Sequence, residues 1–347
     1  MDTVVRTREA TSRRLALGLW AAALGFTVWQ FWPVFSPVTG RDFTIFWLSG
    51  KATLAGHPEL PYDKEAFAAF SQAVIGKIQA PLPYPPHILL LFAPLGLFSI
   101  TVAYFVWNGL SIALFAWAAR PYMRDLPSIC AVFTPAGCLS LQFGQTGVFI
   151  GALWLIAFRS NPWAVGLLTL KPHTGWMAAF TLSSRRKFMI ASLTALALLT
   201  LSALLFPTAM LAFPEALLRQ AAYIDSKTYE IWYFQVVSPR FTYGLVGWIL
   251  FAVAAAVLVR RRFNVFTAAT ASMLIAPYAL HYDMTVACLG MLLGLFRERR
   301  PIFQFLLIFG YVTPYLIMWG SAWFAPPLIL GALIAQVFEE TEPQRFQ

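Results

Sequence analysis

The chain has 347 residues, of which 59% are hydrophobic and only 12% charged, with a mean hydropathy of +0.67. Soluble domains carry about 25% charged residues, so the composition excludes an ordinary globular enzyme and indicates one polytopic membrane domain. The net charge of +10 would point a soluble protein toward nucleic acid. Here the basic residues cluster at the ends of apolar runs, as the positive-inside rule expects, so no nucleic-acid partner is expected and anionic membrane lipids are favoured.

Arg6, Arg8, Arg13 and Arg14 precede an apolar run over 15–35. At about 20 residues it is long for a signal-peptide core and is read as an uncleaved first span with a cytoplasmic N-terminus. Trp29, Phe31 and Trp32 close it as interfacial anchors, and Pro33 and Pro37 end it. Residues 36–86 form a first extracytoplasmic loop. Within it a helix is predicted over 42–54, stopped by Gly56, and a second over 63–75, capped by Asp63. Both are expected to lie along the interface.

Residues 87–206 form a short-helix cleft region that also holds two full-length spans, over 99–119 and 188–206. His87–Phe98, broken by Pro94, reads as a juxtamembrane or re-entrant helix. Four further pieces rise and fall between Pro127 and Leu182, turning at Phe143-Gly144-Gln145-Thr146-Gly147, at Arg159 and at Lys171-Pro172-His173. Each is too short to span alone, which is tolerated where helices are buried in protein or line a cavity. Residues 207–240 read as a second external loop, with Glu215, Arg219, Asp225, Lys227, Glu230 and a Trp232-Tyr233-Phe234 run. Residues 241–338 hold the C-terminal spans and turn outside at Pro277-Tyr278 through His281-Tyr282-Asp283. The sequence thus predicts an all-α membrane protein with about 12 crossings, both termini cytoplasmic and an acidic tail inside. Cys130, Cys138 and Cys288 lie in apolar runs without metal or disulfide spacing.

With that topology Asp42, Tyr84-Pro85-Pro86, Gly144-Gln145, Lys171-Pro172-His173 and His281-Tyr282-Asp283 all fall at outer helix ends. Asp42 is either a general base in an apolar neighbourhood that tunes its pKa or an acid placed at a helix N-terminus. Lys171 interrupts an apolar stretch. It is either a cation for a phosphate group or a lysine reaching the interface. Gln145 could bond a sugar hydroxyl, with Gly144 and Gly147 admitting close backbone approach, or mark a helix contact. His281 and Asp283 could hold a head group or be a helix-end pair. A metal bound by His281, Asp283 and Asp42 has no spacing in its support. No phosphate-cradling loop, dinucleotide fingerprint or HExxH occurs.

Taken in order, these motifs resemble glycosyltransferase family 87, the polyprenyl-phosphate-mannose-dependent mannosyltransferase-like group of the GT-C superfamily. The resemblance rests on Asp42-Phe43-x-x-Phe46-Trp47, Gly50-Lys51, Leu54-Ala55-Gly56-His57-Pro58, Leu60-Pro61-Tyr62-Asp63, Tyr84-Pro85-Pro86, Ala93-Pro94-Leu95, Gly144-Gln145, Leu170-Lys171-Pro172-His173 and Pro277-Tyr278 with Tyr282-Asp283. It implies an inverting hexosyltransferase of the bacterial cytoplasmic membrane with an extracytoplasmic active site. Asp42 is then the catalytic base, and the donor a sugar on polyprenyl phosphate. Lys171, with His173 or His281, stands toward the phosphate, and Tyr84, Gln145, Tyr282 and Asp283 toward the sugar or acceptor. The acceptor is a lipid or glycan, and no cofactor or metal is expected. One departure is Gly147, where many relatives carry asparagine. The rival classes are a transporter or flippase of a lipid-linked or small polar substrate, expected to show midplane charges and repeated halves, and a non-catalytic assembly subunit.

Overall fold

The structure, a computed structural model, describes residues 2–31, 42–123, 126–226, 236–319 and 322–339. In chain order the helices are α1 (Asp2–Phe31), α2 (Phe43–Leu54), α3 (Lys64–Ile75), α4 (Leu89–Phe92), α5 (Ile100–Ala119), α6 (Pro135–Phe143), α7 (Gly147–Ala157), α8 (Pro162–Leu167), α9 (Pro172–Gly175), α10 (Arg185–Leu205), α11 (Pro207–Ser226), α12 (Pro239–Arg261), α13 (Val265–Ile275), α14 (Thr285–Arg297), α15 (Pro301–Trp319) and α16 (Ala325–Val337). Short 3-10 turns join many of them, and no strand occurs among the described residues.

Among the described residues four helices are long and apolar enough to cross a membrane: α5, α10, α12 and α15. They present large apolar side chains outward, among them Phe105 and Leu110 on α5, Leu196 and Leu204 on α10, and Val246 and Leu250 on α12. In water such a surface would drive aggregation; in a bilayer it is the lipid-facing belt. The chain is therefore a membrane protein. The short helices sit inside this belt. Nearly every residue of α7, α13 and α14 is buried, which is how helices of 11 to 13 residues can be apolar all round without spanning. Helix α7 packs on α5 and α14, α8 on α10, α13 on α12 and α16, and α1 on α14 and α6.

Side-chain contacts collect the basic helix ends at one end of the bundle. Arg159 lies over the Trp117 ring, Phe263 packs on both Phe158 and Phe180, and Arg261 lies over Phe338. Arg262 pairs with Glu339, and Arg300 donates to the Phe338 carbonyl and to Glu298. Ser12 donates to the Glu298 carbonyl at 3.0 Å and ties α1 to the same end.

Several boundaries differ from the sequence expectation. The first helix starts at Asp2 rather than at the apolar run, because the basic stretch before Leu15 contains no helix breaker. Residues 32–41, with Trp32, Pro33 and Pro37, lie outside the described residues, as do Lys227, Glu230 and the Trp232-Tyr233-Phe234 run. Residues 207–226, expected as loop, form α11. Pro207 sits at its first position, where a missing N–H costs nothing. Helix α11 holds the first loop in place: Thr208 donates to Glu59 at 2.7 Å, and Phe213 meets the Tyr62 ring edge-on.

Helix α3 begins as expected, with Asp63 Oδ1 accepting from the backbone N–H groups of Glu65 and Ala66. Helix α2 is not an exposed interfacial helix. Phe43, Thr44, Phe46, Trp47, Leu48, Ser49, Gly50 and Ala52 are all buried. It packs on a chain of short turns over 86–97, where Pro94 interrupts the helix that the sequence suggested. The crossing is closest at Gly50 and Gly96. A Cβ on Gly50 would lie 2.2 Å from the Phe92 carbonyl oxygen, and one on Gly96 would lie 2.7 Å from the Gly50 carbonyl carbon. Gly50→Ala is expected to force α2 outward at a cost on the order of 1–3 kcal/mol. Thermal unfolding in detergent checks this; an unchanged midpoint would mean that the crossing tolerates a side chain.

Candidate active site

Asp42 occupies the residue before α2, yet it does not cap the helix. Its backbone is helical and its side chain accepts no hydrogen bond from the first turn. The carboxylate turns instead toward the α6–α7 junction, where Gln145 Nε2 donates to Asp42 Oδ2 at 2.6 Å. The reading of Asp42 as a simple helix-terminus acid therefore loses its hydrogen bond. Burial pushes the Asp42 carboxyl above the ordinary carboxylate range, and the Gln145 hydrogen bond offsets part of that rise.

The junction itself is shaped by glycines. Gly144 ends α6 at φ +64°, a left-handed position. A Cβ there would meet the Phe43 side chain at 2.5 Å, so residue 43, next to the acid, sits directly against the turn. Gly147 opens α7, and a Cβ on it would fall 2.1 Å from the Tyr282 carbonyl oxygen. That contact leaves no room for a side chain at this position: a larger residue would push apart α7 and the turn before α14.

Tyr84 links this half of the cluster to the other. Its hydroxyl lies 2.8 Å from Thr146 Oγ1 and 3.5 Å from Gln145 Oε1. Its ring faces Lys171 Nζ at 5.4 Å, and the Tyr282 ring faces the same ammonium at 5.2 Å. Lys171 donates to Asp283 Oδ1 at 2.5 Å, and each of the two side chains is only 3% exposed. Asp283 Oδ2 accepts the Leu280 N–H at 3.1 Å, which closes the 3-10 turn His281–Met284. His281 is fully buried, with its ring 5.1 Å from Tyr282 and 6.2 Å from Phe143. His173 packs on the Tyr278 ring at 5.7 Å, and its Nε2 is buried without a hydrogen-bond partner. A small cavity with Gly147, Thr174, Ser272 and Thr285 in its walls reaches Asp283.

All eight side chains singled out from the sequence thus lie in one connected cluster, running from Asp42 through Gln145 and Tyr84 to Lys171 and Asp283, with Tyr282, His281 and His173 around it. Two roles look different at atomic detail. The Gln145 amide is engaged with Asp42 and Tyr84, and Lys171 is sealed against Asp283. Sequence reasoning names Thr146 and Tyr278 only within their motifs, without a role, and leaves out Trp107. Trp107 Nε1 donates to the Gln145 carbonyl at 3.4 Å; an aromatic inside an apolar helix carries no signal of such a contact. No group of three or more His, Cys, Asp or Glu that could hold a metal ion occurs among the described residues.

The Lys171–Asp283 pair makes a sharp prediction. Breaking a buried pair leaves one charge without a partner, at about 3–5 kcal/mol, whereas apolar replacement of both is often neutral. Lys171→Met and Asp283→Leu should each lower the unfolding midpoint strongly, and the double variant should recover it. Additive losses in the double variant would show that the two side chains act separately.

Comparison with known proteins gives a family. No curated protein and no solved structure matches the chain. The family model of glycosyltransferase family 87 matches residues 82–295, a range that contains Tyr84, Gln145, Lys171, His173, His281, Tyr282 and Asp283. Asp42 and α2 precede that range, and the Asp42–Gln145 hydrogen bond joins them to it. With more than half its length matched, the chain belongs to glycosyltransferase family 87.

Proposed function

We propose that this membrane glycosyltransferase moves a hexose, mannose in the first instance, from a polyprenyl-phosphate donor to a lipid or glycan acceptor with inversion, on the extracytoplasmic face of a bacterial cytoplasmic membrane. Asp42 is the general base. The observation that carries the reading is the Asp42–Gln145 hydrogen bond at 2.6 Å. It holds an acid that is free of its helix terminus in an apolar setting, at the edge of the one cluster where the sequence's outer-end motifs converge.

In the reaction Asp42 takes the proton of the acceptor hydroxyl, whose oxygen forms the new bond to the anomeric carbon. The bond from that carbon to the phosphate oxygen breaks, and polyprenyl phosphate leaves with the electron pair. A phosphate ester is a good leaving group, so what it needs is charge stabilisation rather than a proton. Lys171 supplies that charge in this reading. An ammonium has three N–H donors; one serves Asp283 and the others face the Tyr84 and Tyr282 rings. Donor entry then parts those rings. His173 and His281 stand beside the same position as further donors. The basic helix ends gathered at the far end of the bundle support an arrangement in which the cluster faces outward under the positive-inside rule.

The transporter reading draws no support from the bundle, because the charged cluster lies at helix ends and joins unrelated segments. One observation favours a structural role for part of the cluster: the Lys171–Asp283 pair is closed to solvent.

A membrane transfer assay with radiolabelled polyprenyl-phosphate mannose and native lipid or glycan acceptors tests the proposal. General-base catalysis contributes about 10²–10⁴-fold, so Asp42→Asn should cut label transfer by that order while the protein stays folded. Full transfer by the variant would remove Asp42 from the chemistry. Activity of the wild type with another lipid-linked sugar, and none with mannose, would correct the sugar alone.

A further inference from the structure

We infer that Gln145 is a positioning residue that both aims the Asp42 carboxylate and keeps it ionised, with its own amide locked in one orientation by Tyr84. The inference rests on Asp42 being the base, and it gives Gln145 a task other than binding sugar.

The geometry leaves the amide little choice. Gln145 Nε2 lies 2.6 Å from Asp42 Oδ2, and Gln145 Oε1 lies 3.5 Å from the Tyr84 hydroxyl. Rotating the amide by half a turn would set an oxygen against the carboxylate and an N–H₂ against a hydroxyl already shared with Thr146. The backbone around Gln145 is fixed as well. Its N–H donates to the Ser140 carbonyl at 2.8 Å, and its carbonyl accepts from Trp107. Gly144, against Phe43, sets the distance between the turn and α2. Gln145 is 7% exposed, and a methionine of similar volume removes the N–H without opening the space around it.

Aromatic hydroxyls also stand near Asp42: Tyr278 and Tyr282 lie close enough to feel its charge, and Tyr84 lies behind Gln145. Tyr104 stands across the Phe43 ring. All are phenols, which ordinarily ionise near pH ~10. Lys171 and Asp283 lie beyond Tyr84 as a neutralised pair, and Lys51 lies over Trp47 farther along α2. A hydrogen bond to the charged form lowers a carboxyl's pKa, and burial raises it. With the donor gone, only the raising effect remains.

The test titrates residue 42 directly. Infrared difference spectra of the detergent-solubilised full chain are recorded across pH, and the protonated-carboxyl band is assigned by its loss in Asp42→Asn. In Gln145→Met, which keeps the volume and removes the donor, the midpoint of that band should move to higher pH by about one unit or more. The acid limb of the transfer rate should move in the same direction. Gln145→Glu should move both further, because two carboxyls at that distance share a proton. Unchanged midpoints in Gln145→Met overturn the inference even if Asp42→Asn is inactive. Retained transfer in Asp42→Asn overturns the base assignment instead, whatever the spectra of the Gln145 variants show.

Discussion

A buried ammonium in a low-dielectric interior has to find a counter-charge, and the layout of this protein follows from how Lys171 finds one. Its partner, Asp283, is 112 residues away. Their pairing holds the turn between α8 and α9 against the turn between α13 and α14. The Tyr84 and Tyr282 rings cover the pair, and Tyr84 brings in the first outer loop. Through Thr146 and Gln145 the same tyrosine reaches the α6–α7 junction and then Asp42. Segments that no local rule would bring together are thus fastened at one point, at the end of the bundle opposite the basic helix termini.

The division of labour between long and short helices makes that point possible. Exposed apolar helices such as α10 and α12 face lipid and satisfy their backbone internally. Behind them α7, α13 and α14 are too short to span, and the α7 and α14 ends that face the cluster, at Gly147 and Thr285, lie inside protein, where turns, glycines and polar side chains are tolerated. Close crossings are reached by removing side chains altogether, at Gly50 against the Phe92 carbonyl and at Gly147 against the Tyr282 carbonyl. A membrane protein gains little from apolar burial between helices and depends on such close packing. This is why the site's walls are lined by glycine and small residues.

Much of this was legible in the sequence, and the missing parts share a cause. Asp63 as a cap, Gly56 as a helix stop, Gly144 as a point of close backbone approach, and Lys171 as an anomaly in an apolar stretch are local signals. Each follows from one residue and its near neighbours. The family resemblance, carried by short strings in a fixed order, agrees with the family match. What the sequence could not supply is partnership across distance. Nothing near Lys171 names Asp283 as its counter-ion, and nothing near Gln145 names Asp42, 103 residues earlier. The sequence leaves Gln145 between a sugar and a helix contact, and Lys171 between a phosphate and the interface; their partners Asp42 and Asp283 appear only in the fold. Helix α11 was missed for a different reason: its polar residues and Pro214 imitate a loop, and contacts with Glu59 and Tyr62 decide the matter.

In the proposed reaction Asp42 faces the acceptor hydroxyl while the donor phosphate lies on the Lys171 side of Tyr84. The most direct measurement is a structure of the Asp42→Asn variant with a polyprenyl-phosphate sugar donor bound. The anomeric carbon is expected between Tyr84 and residue 42, the phosphate toward Lys171, with space for an acceptor oxygen within about 3 Å of the residue 42 side chain. A donor seated elsewhere on the bundle, with the cluster closed as it is here, would contradict it.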